Sequence, residues 1–464
     1  MLPRALLTGL GMLAASFLAA QALAGVRFEH AFAALFAFAV FLFVFVRADA
    51  GLYLVLFSML LSPEFVVGGA ADLAEGRRVV LRLEDLLPIA ITLSWLARMA
   101  VNKELGLVVR TPLNRWIVLY VASTLAATLT GYLTGTVKTA AGFFYVLKYV
   151  EFFVVYYMTV NNLRDRPHAR RLVVAAFITA ALVSLIAAAQ IPTGERVSAP
   201  FEGETGEPNT LGGYLLLMIA LAGGVALETT RLRVRAAALA LLALMVVPFL
   251  YTLSRASYLG VIPMVVVLAL LSSQRRLMAA ALLILVLAAP IVLPALAPSP
   301  VARRVLYTFQ PEQGQPTVRI GGVAFDPSTS ERLLAFQKAV EGWLSRPLLG
   351  YGVTGFRFMD AQYARTLVET GLVGFAAFLA LLIAVLRAGL ASFRALHDPE
   401  DRGLALGFVA GTVGLAVHAV GSNTFIIVRI MEPFWFFAGV VVLLPHLRES
   451  RGLEPALRPA AATT

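Results

Sequence analysis

SERLLAFQKAVEGWLSRPLLGYGVTGFRFMD, residues 330–360, is followed after two residues by YARTLVETGLVGFAAFLALLIAVLR, residues 363–387. The first stretch closes a polar run that begins near Pro298 and carries Arg303, Arg304, Arg319, Arg332, Lys338, Arg346 and Arg357 before ending on Asp360. The second is apolar and long enough to cross a bilayer, which takes about 20 helical residues. Working outward, nearly everything else in the chain is apolar in blocks of similar length. One large cationic loop set among membrane helices is where the chemistry is expected.

Composition agrees. The chain has 464 residues, 59% of them hydrophobic and 14% charged, against about 45–50% and about 25% in a soluble domain. Mean hydropathy is +0.83. Apolar blocks fall at about 5–24, 30–46, 50–66, 85–101, 114–133, 142–160, 171–190, 209–227, 236–253, 256–271, 277–297, 363–387, 403–422 and 430–446. Their length suits helices rather than the short alternating strands of a barrel. The expected fold is an all-α integral membrane protein of about 12–14 transmembrane helices. AQALAG, at 20–25, has the small-residue look of a signal-cleavage site; with so many spans following, the block before it is read as the first helix.

Cysteine is absent, which excludes disulfides, thiolate metal sites and a cysteine nucleophile. The five histidines are scattered, so no metal site and no cofactor are expected. The net charge of +11 follows from arginines in short loops, as membrane topology requires, and nucleic acid is not an expected partner. Basic residues on one side of the alternating blocks outnumber those in the short loops opposite more than twofold. Both termini are therefore expected in the cytoplasm, with the long loop outside. The organisation reads as transmembrane helices 1–11 over 1–297, an extracytoplasmic catalytic loop over 298–362, C-terminal transmembrane helices over 363–447 and a disordered cytoplasmic tail over 448–464.

Within the loop, helical spacing of Leu333, Leu334, Phe336, Ala339, Val340, Trp343 and Leu344 predicts an amphipathic helix over 328–345, capped by Ser330 and lying at the membrane interface. Gly350 to Gly355 predicts a tight turn before the next span.

The candidate residues are those expensive in or near lipid. Arg255, in a very short connection between two blocks, is held at the membrane face. A guanidinium there suits a phosphate or carboxylate, because it offers a bidentate fork and keeps its charge; snorkelling to the interface is the other account. Lys148 and Glu151, three residues apart inside a span, are either functional or a mutual ion pair. Arg365 and Glu369 lie one turn apart and satisfy each other. Asp360 is the general-base candidate, with helix capping as the alternative. Arg255, Arg332, Arg319 and Arg357 with Asp360 make a cationic, external constellation without metal-ligand spacing, which suits a lipid-linked anionic substrate such as an isoprenoid pyrophosphate.

At these residues the chain resembles the O-antigen polymerase and O-antigen ligase superfamily. Phe201 to Tyr214 is similar to the family's Gly-x-x-Asn-Pro-Asn segment, here Glu207-Pro208-Asn209. Ser254-Arg255-Ala256-Ser257 is similar to its Ser-Arg element, Arg332 to Phe356 to its loop helix and glycine turn, and Asp360 to Gly374 to the opening of the next span. The resemblance covers about 200–390. It implies a GT-C-like fold and an inverting, metal-independent glycosyltransferase using undecaprenyl-pyrophosphate-linked glycan, in the bacterial inner membrane with its active site facing the periplasm. Arg255 and Arg332 would bind pyrophosphate, and Arg319, Arg357, Tyr363 and Asn209 are further substrate-binding candidates. Asp360-Ala361 with Tyr363 is closer to the Asp-Asn-x-Tyr form of polymerases than to the His-Asn of ligases, although the Asn is missing. A surface-polysaccharide polymerase is thus favoured. The alternatives are a ligase acting on a lipid A core and, from another class, a lipid-linked sugar transporter. A chain-length regulator is left open as a partner.

Overall fold

The computed structural model describes residues 38–61, 64–65, 81–82, 91, 93–95, 97, 109–139, 141–200, 206–276, 280, 300–310, 315 and 317–447. Twelve helices of known bounds lie in them: α1 Ala48–Leu61, α2 Asn114–Leu133, α3 Ala141–Asn162, α4 Arg166–Ala188, α5 Pro208–Glu228, α6 Leu232–Tyr251, α7 Arg255–Leu271, α8 Pro300–Leu306, α9 Pro327–Ser345, α10 Gln362–Ala395, α11 Pro399–His418 and α12 Val428–Leu443. Residues 38–46 are also helical. The expected spans at 5–24 and 277–297 and the tail at 448–464 lie outside the described residues, as does most of the span at 85–101. Two short antiparallel pairs complete the secondary structure, β1 (Glu64–Phe65) with β2 (Leu81–Arg82) and β3 (Arg319–Ile320) with β4 (Val323–Ala324).

Seven of these helices are long and apolar enough to cross a membrane. The protein is an all-α integral membrane protein. The helices start where local chemistry favours it. Asp165 caps α4, Ser254 caps α7 and Asp398 caps α11, each side chain accepting from an otherwise orphaned backbone N–H. Proline opens α5, α9 and α11, where its missing N–H has no cost.

The core is built around α12, every residue of which is buried. It packs on α3 and α5, and Phe153, Phe434 and Trp435 meet edge to face. Helix α5 meets α11 most intimately. Gly224 lies against the backbone of Gly403 and Gly407, where a Cβ would stand 2.2 Å from the Gly403 carbonyl oxygen. In lipid, where apolar surface alone gives helices no reason to associate, small residues of this kind let backbones approach and gain dispersion contact. Helices α2 and α6 instead turn leucine and valine outward, Leu133 and Leu239 among them, as lipid-facing helices do.

Two features depart from the expected reading of the loop and the helix after it. Ser330 is not the cap of α9. Asp326 is, one residue before Pro327, and its carboxylate accepts from Thr329 N. Ser330 instead accepts from Val318 N and donates to Phe325 O, fastening the β3–β4 hairpin to the helix. The apolar face of α9 is also divided. Ala335 and Ala339 pack with Met359, Ala364 and Val368 at the start of α10, while Val340 and Leu344 stay exposed.

The second departure is a break in α10, which the apolar pattern presents as continuous. At Gly371 the backbone turns to φ 63°, ψ −168°, a region only glycine enters freely. A Cβ there would stand 2.3 Å from Leu348 O. The turn after α9 fills the break. Tyr351 N and Gly352 N donate to Val368 O and Glu369 O at 3.0 and 2.8 Å, and Leu372 N and Val373 N donate back to Pro347 O and Leu348 O at 2.8 and 3.2 Å. Irregular backbone within a bundle is tolerated only where protein satisfies it in this way. The turn also rests on α2, with Thr136 Oγ1 donating to Tyr351 O. The expected glycine turn is present and doubles as a wedge. Just before the break, Glu369 accepts from Arg365 Nε at 3.1 Å, as expected from their spacing, and also from Thr354 N in the wedge.

Candidate functional site

The start of α5, the α6–α7 turn, the start of α9, the start of α10 and the end of α11 come together at one end of the bundle. The α6–α7 turn is short because Leu253 takes a left-handed conformation, φ 49°, uncommon for a side chain of its kind. Two arginines hold it. Arg196 donates from Nε to Thr252 O at 3.0 Å and from Nη2 to Leu253 O, and Arg304 on α8 donates to Leu253 O. Ser254 caps α7 and donates to Asn209 Oδ1 at 2.8 Å. Asn209, expected to touch substrate, thus reaches the site through Ser254 and braces the turn that presents Arg255.

Arg255 is the first residue of α7, its side chain 15% exposed. No carboxylate is near it in sequence, but one is near in space. Asp326, with a side chain 0% exposed, takes its Nη1 and Nη2 at 2.8 and 2.9 Å, and Thr308 Oγ1 takes Nη1 at 3.0 Å. Burial pushes the Asp326 carboxyl up, but Arg255 and the Thr329 N–H and hydroxyl draw it below the ordinary carboxylate value.

Arg332 lies two turns into α9. Its Nη1 donates to Ser328 Oγ at 2.8 Å and its Nη2 to Asp360 Oδ2 at 3.3 Å. Asp360 is 40% exposed. Ala361, not Asp360, occupies the cap position of α10 and no side chain bonds there, so the capping account of Asp360 is excluded. Its other oxygen stands 3.5 Å from Nδ2 of Asn423, an amide that donates more firmly to Met359 O at 2.8 Å. An asparagine amide therefore does sit beside Asp360, supplied by the α11–α12 connection instead of by the next residue in the chain.

Four guanidiniums gather here. Partial burial comes first, then repulsion from Arg304, Arg255 and Arg332, in pulling Arg196 down to about 10. Arg304 is lowered too, by burial and then by Arg255. An arginine does not give up its proton at working pH, so all four guanidiniums stay charged, with Asp326 bonded to Arg255 and Asp360 to Arg332. The arrangement favours an anion.

The remaining candidates are not drawn in. Arg319 is exposed on the β3–β4 hairpin and Arg357 is exposed before α10, and among the described residues neither bonds to a site residue. Tyr363 donates its hydroxyl to Ala416 O and packs on Phe378, joining α10 to α11. Lys148 lies over the Phe144 ring within α3. Sequence reasoning missed Asp326, Arg196, Arg304 and Asn423 as site residues. For Asp326 a signal existed, since Asp-Pro before a helical run is a capping signature. The other three arrive through contacts between distant segments.

Residues 238–379 match the O-antigen ligase family. The match runs from α6 into the second half of α10 and takes in Arg255, Asp326, Arg332 and Asp360. No curated protein matches the chain. The structure is a helical membrane protein in which three of the four clustered arginines, Arg255, Arg304 and Arg332, fall within the matched residues, and the match to an O-antigen ligase domain over 238–379 supports a place in the O-antigen polymerase and ligase superfamily.

Proposed function

We propose that the protein is an inverting glycosyltransferase that releases a glycan from an isoprenoid pyrophosphate, undecaprenyl pyrophosphate in a bacterial inner membrane, and joins it to the hydroxyl of a second lipid-linked repeat. One observation carries the reading. A half-exposed carboxylate, Asp360, is bonded to Arg332, one of four clustered guanidiniums, at the mouth of a membrane bundle.

The acceptor hydroxyl attacks the anomeric carbon from the face opposite the pyrophosphate. Its proton passes to Asp360, the new carbon–oxygen bond forms, and the bond to the pyrophosphate oxygen breaks with its electron pair leaving on that oxygen. Arg255 and Arg332 bind the departing phosphates, and Arg196 and Arg304 add positive potential beside them. Preorganised cations aimed at charge developing in the transition state are worth about 10²–10³ in rate each. Attack on the opposite face inverts the anomeric configuration. Asn423 lies beside the carboxylate, its amide 3.5 Å from Oδ1.

The test is reconstitution in liposomes with an undecaprenyl-pyrophosphate oligosaccharide as sole substrate, read by gel ladder and mass spectrometry. A ladder of lengthened lipid-linked chains with inverted linkage is expected. The match to the O-antigen ligase family favours a second reading, transfer to a lipid A core. Product that forms only when that core is added would establish it in place of polymerisation.

A further inference from the structure

Asp326 has no place in the chemistry just described, yet it is completely shielded and touches two elements that the chemistry needs. A guanidinium has two bidentate edges, one from Nη1 and Nη2 and one from Nε and Nη2. Asp326 occupies the first edge of Arg255, with Thr308 taking the remaining Nη1 proton. Among the described residues nothing bonds to Nε or to the second proton of Nη2. The Asp326 grip therefore leaves one edge of Arg255 turned outward and fixes its plane.

The same carboxylate oxygen that takes Nη1 also accepts from Thr329 N, as the cap of α9. Ser328, in the turn so capped, holds Nη1 of Arg332. From Asp326 to Arg332 is six residues, about 9 Å of helix. One side chain is thus the common origin from which both arginines are placed, Arg255 through its fork and Arg332 through the first turn of α9.

We infer that Asp326 is a positioning residue that sets Arg255 and Arg332 at a fixed separation, so that the site selects a diphosphate over a single phosphate. This rests on the pyrophosphate reading above. A diphosphate engages both guanidiniums at once. A monophosphate engages one at a time and gains nothing from their spacing. Releasing Arg255 from Asp326 frees the two forks to move independently and removes the advantage of the second phosphate without removing either positive charge.

The experiment compares binding of inorganic pyrophosphate and orthophosphate to the full chain in lipid nanodiscs, for wild type, D326S, D326N and R255A. Serine keeps the helix cap but is too short to grip Arg255. Asparagine keeps the cap and the shape and loses the charge. Wild type is expected to prefer pyrophosphate by at least about tenfold, the gain of one well-placed charge-assisted pair. In D326S the preference falls to about twofold or less while orthophosphate binding persists, with D326N between them. A purely structural Asp326 would weaken both anions equally, and that outcome, in D326S or in D326N should the serine variant fail to fold, overturns the inference. So does a preference unchanged in D326S; in either case a wild-type preference that R255A abolishes leaves the pyrophosphate reading standing. Wild type without a preference, and indifferent to R255A, overturns both.

Discussion

Two clusters of four arginines, at opposite ends of the bundle, are used oppositely. At the end where α4, α6 and α11 begin, Arg170 pairs with Asp398 at 2.8 Å and Asp401 at 3.1 Å, Arg166 with Asp401, Arg402 with Glu228 at 3.2 Å, and Arg231 with Glu400. Four arginines meet four carboxylates, and Glu228 also accepts from Ser272 and Ser273 to close the end of α7. At the other end Arg196, Arg255, Arg304 and Arg332 share Asp326 and Asp360. The first cluster is a clamp, each of its four arginines paired to a carboxylate of the protein. The second has two carboxylates bonded to its four arginines among the described residues, and the proposed diphosphate would add negative charge there. The same side chain is a fastener or a binding group according to the carboxylates around it.

The largest contrast between the ends is expected from single truncations. R255A at the cationic end should lower transfer by about 10²–10³ with membrane insertion unchanged, measured in the liposome assay beside a solubility and melting control. D360N should lower kcat by about 10² or more through loss of the base and leave donor KM within about twofold, because the pyrophosphate contacts remain; a KM effect alone would make Asp360 a binding residue. At the clamp, D401A should cost about 2 kcal/mol of stability, the scale for charged hydrogen bonds left without a partner, and leave kcat of the folded fraction alone. A fall in kcat there would dissolve the distinction between the ends.

A smaller effect is expected from pH. Asp326 and Asp398 anchor opposite ends, and both sit below the ordinary carboxyl value of 3.8. In each, burial pushes upward, and hydrogen bonds from backbone and arginine overcome it. A carboxyl lowered in the folded state contributes stability that is complete above its unfolded value and is lost as pH falls through the folded one. Melting temperature should therefore owe no fall to these two groups from neutral pH down to about 4, and decline below it, with D326N and D398N each flattening the acid limb. The smallest effect belongs to R319A and R357A. Both side chains are exposed and outside the cluster, so transfer should change by no more than about twofold.

The spans were legible because a bilayer imposes its thickness on composition. Asn114–Leu133 was read to the residue, and Ala141–Asn162, Pro208–Glu228, Arg255–Leu271 and Val428–Leu443 begin and end within a turn of their apolar blocks. Arg365 and Glu369 were legible because a helix brings residues four apart together. Asp326 meeting Arg255 was not, since 71 residues separate them and no local period connects loop to span. The break at Gly371 was hidden for a different reason. Its cause lies in another segment, whose N–H groups take over carbonyls that a continuous helix would use itself. Asp360 was identified from charge and position, while its orientation comes from Arg332 and Asn423, each on a different element.

That broken helix bears on how the protein is made. Residues 347–352 leave the ribosome before 368–373, so the wedge exists before the helix that receives it. The two halves of α10 can each form as they emerge, but the rungs around Gly371 close only when the wedge docks. Docking of the wedge thus waits on a late step of biogenesis, and a chain halted before that step holds its earlier spans with the wedge still unpaired.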